Sequence, residues 1–521
     1  MQSIARSTNG RPAALPAVLA SLLVATLVLG ASLVRPVSSA DAALQPTGHI
    51  VVLEGTADAD GSFQVLGGDA VNLALARQAV TATGATIEVD LADQIGVLLV
   101  QATPEMATVI AASDLVAEAA QDFSWKAFSS YDEAIAGGEL TVLAPEEVPD
   151  GGPEQTLDPL EPLQWDMLQI RTPQAHNLQA GARSVDVGIL DSGIDGRHLD
   201  FAIDSGGSNV DCARGRNSVI FVPMGPGVGT PDPCTDNQFH GTHVAGTVAA
   251  QANGIGIVGV APNVTLVPVK VCDASGYCYA SAVVDGITYS GDQQLDVINM
   301  SFFVDDNEFQ ESTEFKCQSD ATQRAFRQAV ERAIQYARQQ GVVPVAALGN
   351  SDQDLAHPVG DDGQPISNEC EVVPAETQGV IGTMALGRQS EKARYSNYGT
   401  GPTDVAAPGG NGGTGNCTTT ILSTLPGGAY GCIQGTSMAS PHAAGVAALI
   451  VSQYGRLGSD GDVKLPPTKV ESLLQSTAID IGQPGYDECF GHGRIDALRA
   501  VSGDTGLARD ESAPHCPEYA E

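Results

Sequence analysis

Three separated segments hold the residues whose types and spacing could do covalent chemistry. Gly435-Thr436-Ser437-Met438-Ala439-Ser440-Pro441-His442 presents a hydroxyl where a helical pattern begins. His240-Gly241-Thr242-His243-Val244-Ala245-Gly246 opens a helix of small residues with an imidazole, and Val187 to Gly193 is an apolar strand closing on Asp191. A serine hydroxyl is a weak nucleophile that needs a base within hydrogen-bond reach and an acid behind that base. The three segments supply one of each, which points to acyl transfer. Ser437 attacks a carbonyl carbon, His240 takes the proton and returns it to the leaving amine, and Asp191 fixes the imidazole tautomer. An oxyanion then needs donors, and the Ser437 N–H at a helix start and the side-chain amide of Asn350, in Ala347-Leu348-Gly349-Asn350, are the candidates. Pro441 is expected in the first helical turn, where its missing N–H is harmless.

Other readings of the same residues are weaker. His240 and His243 share a helix face and could bind a metal, yet no Glu follows in the H-E-x-x-H manner. A G-x-S-x-G nucleophile elbow fails because Ala439 stands where glycine is needed. His243 and His442 read as structural.

Elements that could position these groups lie between about Gln164 and Val501. Ser184–Leu190, Thr265–Val271, Asp296–Asn299 and Val342–Ala347 are short apolar runs suited to buried parallel strands. Asp320–Gln340 carries Ala325, Ala329, Ala333, Ile334 and Ala337 at helical spacing. The expectation is an α/β domain over residues 163–502, with a polar tail over 503–521. Upstream, residues 48–125 alternate short strands (50–53, 85–89, 96–100) with helical stretches (71–81, 104–112), as in a small α+β sandwich of the ferredoxin-like kind. Residues 126–162 read as an exposed acidic linker, because 127–162 hold nine acids and no base among repeated Pro and Gly.

The 521 residues carry 62 acidic against 25 basic side chains, a net charge of −37 that argues against nucleic acid as a partner. With 43% hydrophobic and 17% charged residues, the acidity decorates a folded protein. Ten cysteines without a C-x-x-C pair read as disulfides formed in an oxidising compartment, and sequential neighbours are the expected partners. Arg6 and Arg11 precede an uncharged stretch, Pro12–Val34, and small residues near Ala40. Residues 1–40 therefore read as a signal peptide, and the expected product is secreted, monomeric and free of the membrane after cleavage. The stretch is also long enough for a retained anchor.

The order Asp, His, Asn, Ser with these flanking residues resembles the subtilisin-like serine proteases, the S8 peptidase family, over nearly the whole of Gln164–Val501. The resemblance implies a three-layer domain with a mainly parallel sheet, a triad of Asp191, His240 and Ser437, Asn350 as oxyanion donor, and polypeptide substrates. It also implies that the upstream unit is an inhibitory propeptide, removed by self-processing between about Ala127 and Gln164. Asn253-Gly254-Ile255-Gly256-Ile257 resembles the family's calcium loop, with Asn253 giving a side-chain oxygen, Gln251, Ile255 and Ile257 carbonyls, and Asp200 a carboxylate. Ser275-Gly276-Tyr277 and the segment from Ser301 resemble two edges that clamp an extended peptide as an added strand. Ser301-Phe302-Phe303-Val304 departs from the usual Ser-Leu-Gly-Gly. Bulky Phe302 and Phe303 are thus expected to narrow that edge, and a catalytically weak binding protein on the same fold is the rival reading.

Overall fold

The Ile50-Val51-Val52-Leu53 run is apolar at every position because strand β1 (Thr47–Leu53) is covered on both faces. In the computed structural model, which describes residues 47–57, 63–65, 70–144, 158–203, 205–222, 225, 228–304, 320–359, 365, 367, 371–412, 417–458 and 463–513, β1 is the inner strand of a four-stranded sheet. After a hairpin of β2 (Gly55–Ala57) and β3 (Phe63–Val65), helix α1 (Ala70–Ala82) leads to β4 (Thr86–Leu91). Short α2 (Ala92–Ile95), β5 (Val97–Ala102), α3 (Pro104–Ala111) and β6 (Val116–Gln121) complete the unit. The sheet runs β4-β5-β1-β6, with every described pairing antiparallel. Strand side chains alternate between faces. Val51, Leu53, Leu98 and Val100 therefore pack with Ala76, Val80 and Ile110 of the unit's own helices, whereas Ile50, Val52, Val97 and Leu99 join the core of the larger domain.

The chain then crosses to that domain. Strand β7 (Ser124–Lys126) straddles the expected end of the small unit, and helix α4 (Tyr131–Ala136) and strand β8 (Thr141–Val142) occupy the region expected as an exposed linker. For residues 127–144 that expectation is corrected, since Ala134 and Leu140 are buried in the larger domain's core. Its acidic composition forbids independent folding, but a few apolar side chains suffice when a neighbour supplies the remaining surface. Glu133 bonds back to the Ser130 N–H and pairs with Lys126, closing a capping box. Residues 145–157 lie outside the described set.

After α5 (Trp165–Gln169) and α6 (Thr172–His176), strand β9 (Asp186–Asp191) enters the main sheet. Further along come β10 (Arg216–Asn217), α7 (His240–Ala249), β11 (Thr265–Lys270), β12 (Tyr277–Tyr279), α8 (Ala280–Asp292), β13 (Val297–Met300) and α9 (Ala321–Gln339). The rest comprises β14 (Val343–Ala347), β15 (Ile381–Leu386), β16 (Val405–Pro408), the hairpin β17 (Ile421–Leu425) and β18 (Ala429–Ile433), α10 (Thr436–Tyr454), the paired short strands β19 (Arg456–Leu457) and β20 (Val463–Lys464), α11 (Pro467–Ser476) and α12 (Ala497–Ser502). Seven parallel strands run in the order β10-β11-β9-β13-β14-β15-β16. Val187, Ile189, Val343 and Val345 face α7 and α10, while Leu190, Ile298 and Ala346 face α8 and α9. The result is the expected three-layer α/β domain.

Disulfides join Cys212–Cys234, Cys272–Cys278 and Cys417–Cys432, each a sequential pair. Cys489 is also disulfide-bonded, whereas Cys317, Cys370 and Cys516 lie outside the described residues. The expected signal segment lies outside them too. Among the described residues no helix is long and apolar enough to cross a membrane. Residues 504–513 of the expected tail are anchored: the Asp480 N–H donates to the Ala508 carbonyl, the Asp510 N–H donates to the Asp480 carbonyl, and Ala513 is buried.

Candidate active site

In open parallel sheets, ligand groups gather beyond the carboxyl ends of the strands. Asp191 is the last residue of β9, Ser301 follows β13, and Asn350 lies three residues past β14. His240 opens α7 and Ser437 stands in the first turn of α10. The Asp191 carboxylate lies 3.0 Å from His240 Nδ1 through either oxygen and also accepts the Ser192 N–H. Asp191 is fully buried, and His240 and Ser437 are nearly so. Among the described residues no hydrogen bond joins the Ser437 hydroxyl to His240, in keeping with catalytic contacts that tighten only around substrate.

The α7 start is held by a residue that the sequence reading missed. Buried Asp236 accepts the N–H groups of Gln238, Phe239 and Thr242 and the hydroxyls of Ser192 and Thr242. Burial still pushes its carboxyl above the ordinary range, with nearby Lys270 acting in opposition. An Asp four residues ahead of a helix-opening His was the available signal.

Asn350 is oriented by its own carbonyl. Its Oδ1 accepts both the N–H and the hydroxyl of Thr436, which leaves Nδ2 on the side of Gly435 and Ser437. An amide held in this way offers a fixed donor beside Ser437. Pro441 corrects an expectation, because it sits in the second helical turn, where its absent N–H deprives the Ser437 carbonyl of its usual partner. The Ser301 hydroxyl takes that place at 2.8 Å, itself held by Asn299 and Ser440. Ser301 thus supports the backbone at Ser437.

The two histidines read as structural have structural partners. His243 Nε2 faces the carbonyls of Ile421 and Gly431, and burial pulls its pKa down to about 3. His442 bridges the Met438 carbonyl and buried Asp166. His240 and His243 are therefore engaged separately, and no cluster of three metal-ligating side chains occurs among the described residues.

The upstream chain fills the cleft. Strand β7 pairs antiparallel with β12, matching Lys126 with Tyr277, Trp125 with Cys278 and Ser124 with Tyr279. The Gly276 carbonyl accepts the N–H groups of Ala127 and Phe128, and a side chain at Gly276 would strike the Phe128 carbonyl. The 275–277 edge thus carries an added strand. The second edge does not, since no ladder pairs β7 with Ser301, Phe302 or Phe303 among the described residues. Instead Phe302 and Phe326 are buried in one core cluster, and Trp125 of the same cluster lies 6.2 and 6.0 Å from their rings. The Phe302 side chain thus lies in the core with Trp125 and Phe326. Beyond β7, the Phe128 ring stacks on His240, Gln238 donates to the Ser129 carbonyl at 2.7 Å, and Tyr131 packs edge-on to Phe239. A cavity of about 480 Å³ remains between Phe128, His240, Asn350 and Ser437.

At the other end of α7, Asp200 accepts the Ile257 N–H and lies beside the Tyr430 hydroxyl, while its Oδ1 has no partner among the described residues. Asp158, which the sequence reading overlooked, binds the Gly254 N–H and has an equally unpartnered Oδ2. Burial pushes both carboxyls up, Asp158 to about 6, and the Asp158 charge raises Asp200 further. Two buried carboxylate oxygens without donors, beside the Asn253 amide oxygen, fit a hard cation. Gln251 is fixed by Arg183 through its side chain, which leaves only its carbonyl as a ligand.

The arrangement and fold define a serine endopeptidase. The family model of the subtilases, Peptidase S8, matches residues 182–493, and the chain belongs to that family. It is 32% identical over 337 residues to subtilisin NAT of Bacillus subtilis subsp. natto, covering 65% of this chain and 71% of the relative. To subtilisin DY of Bacillus licheniformis it is 36% identical over 318 residues, 61% and 91% of the two chains. Among solved structures, the epidermin leader peptide processing serine protease of Staphylococcus aureus shares the fold, with a TM-score of 0.62 at 21% identity over 88% of this chain and 98% of that one.

Proposed function

We propose that this is a secreted serine endopeptidase, made as a self-processing precursor, in which Asp191, His240 and Ser437 form the triad and Asn350 the side-chain oxyanion donor. The observation that carries the reading is the Asp191–His240 hydrogen bond beside Ser437, in a cleft that already holds a peptide strand. Ser437 Oγ adds to the scissile carbonyl carbon as His240 Nε2 takes its proton. The oxyanion sits between the Ser437 N–H and Asn350 Nδ2. Collapse breaks the C–N bond, His240 delivers the proton to the leaving amine, and an acyl-enzyme remains. Water repeats the sequence in reverse, with His240 as base, and releases the acid.

Residues 48–125 act as the inhibitory propeptide in cis, with β7 lying as a substrate strand lies, and a cut between Ala127 and Gln164 begins its release. Calcium, when bound, supplies cross-linking stability at Asp200, the Asn253 side chain and the carbonyls of Gln251, Ile255 and Ile257, with Asp158 as a further carboxylate. Hydrolysis of an unstructured polypeptide tests the reading. Wild type should turn it over, and Ser437→Ala and His240→Ala should each lose activity at least a thousandfold, about the share that a triad supplies. Retained activity in either variant would overturn it.

A further inference from the structure

We propose that the Cys272–Cys278 disulfide ring is a positioning device that ties the peptide-binding edge to the catalytic aspartate and thereby sets affinity for extended substrates. This rests on the protease reading above and names the part of that site that captures peptide.

The ring touches the site at both ends. At its base, the Cys272 N–H donates to the Asp191 carbonyl at 3.2 Å, beside the same contact from Val271 at 2.9 Å. At its far side, Cys278 is the residue of β12 that stands opposite Trp125, and Gly276, inside the ring, offers the carbonyl that accepts the Ala127 and Phe128 N–H groups. Cys272 and Cys278 also face each other as a backbone bridge pair, and both are fully buried. Without the covalent link, the five residues between them form an open turn whose carbonyl direction is free to wander.

A second element stiffens the same ring from within. Asp273, nearly buried, accepts the N–H groups of Ser275 and Tyr277 and the Tyr279 hydroxyl. These contacts aim Gly276, whose φ of 85° needs a glycine, with its carbonyl toward the incoming strand. Disulfide and carboxylate together hold an edge whose hydrogen-bonding groups are set before peptide arrives. Preorganisation of this kind raises affinity by lowering the ordering cost of binding. The ring reaches residues upstream of the reacting bond and leaves Ser437, His240 and Asn350 untouched.

The test compares substrates of two lengths on the matured enzyme: a tetrapeptide anilide, which lies along the edge, and a single-residue acyl ester, which does not. In the paired Cys272→Ser and Cys278→Ser variant, KM for the tetrapeptide should rise about tenfold, the size of one lost preorganised contact set, with kcat within about twofold of wild type. The ester's kcat/KM and the rate of Ser437 labelling by a small fluorophosphonate should stay within about twofold. Asp273→Asn, which keeps the disulfide, should move the same way by a smaller factor and supplies the readout if the serine variant is not secreted. Equal loss on both substrates, or no loss on the tetrapeptide, would overturn the ring's role. A wild-type enzyme that fails to take the phosphonate would instead overturn the protease reading beneath it.

Discussion

The Phe128 ring lies flat on the His240 imidazole, with centroids 3.7 Å apart and planes inclined by 19°. The general base of the proposed mechanism is thus roofed by a residue of the segment that follows strand β7. Gln238 and Phe239, the two residues before His240, are held by the next part of the same segment through Ser129 and Tyr131.

This roof should slow the chemistry of the uncut precursor. An aromatic stack contributes about 0.5–1.5 kcal/mol beyond area burial. Phe128→Ala should therefore speed phosphonate labelling of the full-length band by about threefold to tenfold, read on a gel that separates precursor from mature enzyme. An unchanged rate would mean that the stack does not restrain the site.

Asn350→Leu should lower kcat by about 10²–10³ with little change in KM, a magnitude established on subtilisin. Thr436→Val, which removes one of the two contacts on Asn350 Oδ1, should lower kcat by a smaller factor. The pair separates a donor from the group that aims it.

Calcium removal should lower stability before it lowers chemistry. A ligand at a hundred times its Kd stabilises by about 2.7 kcal/mol, which moves the melting temperature of a domain this size by about 3–4 °C. Chelation should produce that drop in the Ser437→Ala protein. Asp200→Asn should melt low and become insensitive to chelator, as should Asp158→Asn to a lesser degree.

Asp122 couples the small unit to α8 by accepting the N–H and hydroxyl of Ser281, and burial pushes its carboxyl up to about 6. In the unfolded chain an Asp titrates near about 3.9. Between these values the folded state holds the extra proton, so the Asp122 contribution to stability falls as pH rises from about 4 to about 6 and is flat above. Melting temperatures of Ser437→Ala protein with and without Asp122→Asn should therefore show a difference that changes across this window. A constant difference would contradict the assignment.

Much of the fold was legible because buried parallel strands leave dense β-branched runs. Val342–Ala347 and Thr265–Val271 could be placed within a residue or two of β14 and β11. The proximity of Asp191 and His240 was legible because each lies in a contiguous motif. What the sequence hid depends on partners distant in the chain. Ala134 and Leu140 give no apolar periodicity in an acidic stretch, and they are buried only because the core beneath them is open there. Asp158 in that same stretch looked like one more solvated charge until its packing against the Gly254 turn and Asp200 was seen. The direction of the Phe302 ring, into the core, leaves no signal in the sequence. Pro441 was misplaced by a turn, since helix starts are marked weakly when the cap is a glycine.

The most direct measurement is the intact mass of the protein after exposure to a fluorophosphonate, run in parallel on wild type and Ser437→Ala. The account expects one phosphonyl adduct on a shortened wild-type chain, mapped by peptide analysis to Ser437, and an unlabelled Ser437→Ala chain that retains residues 48–125. An adduct at another residue, or equal shortening of the Ser437→Ala chain when expressed alone, would contradict it.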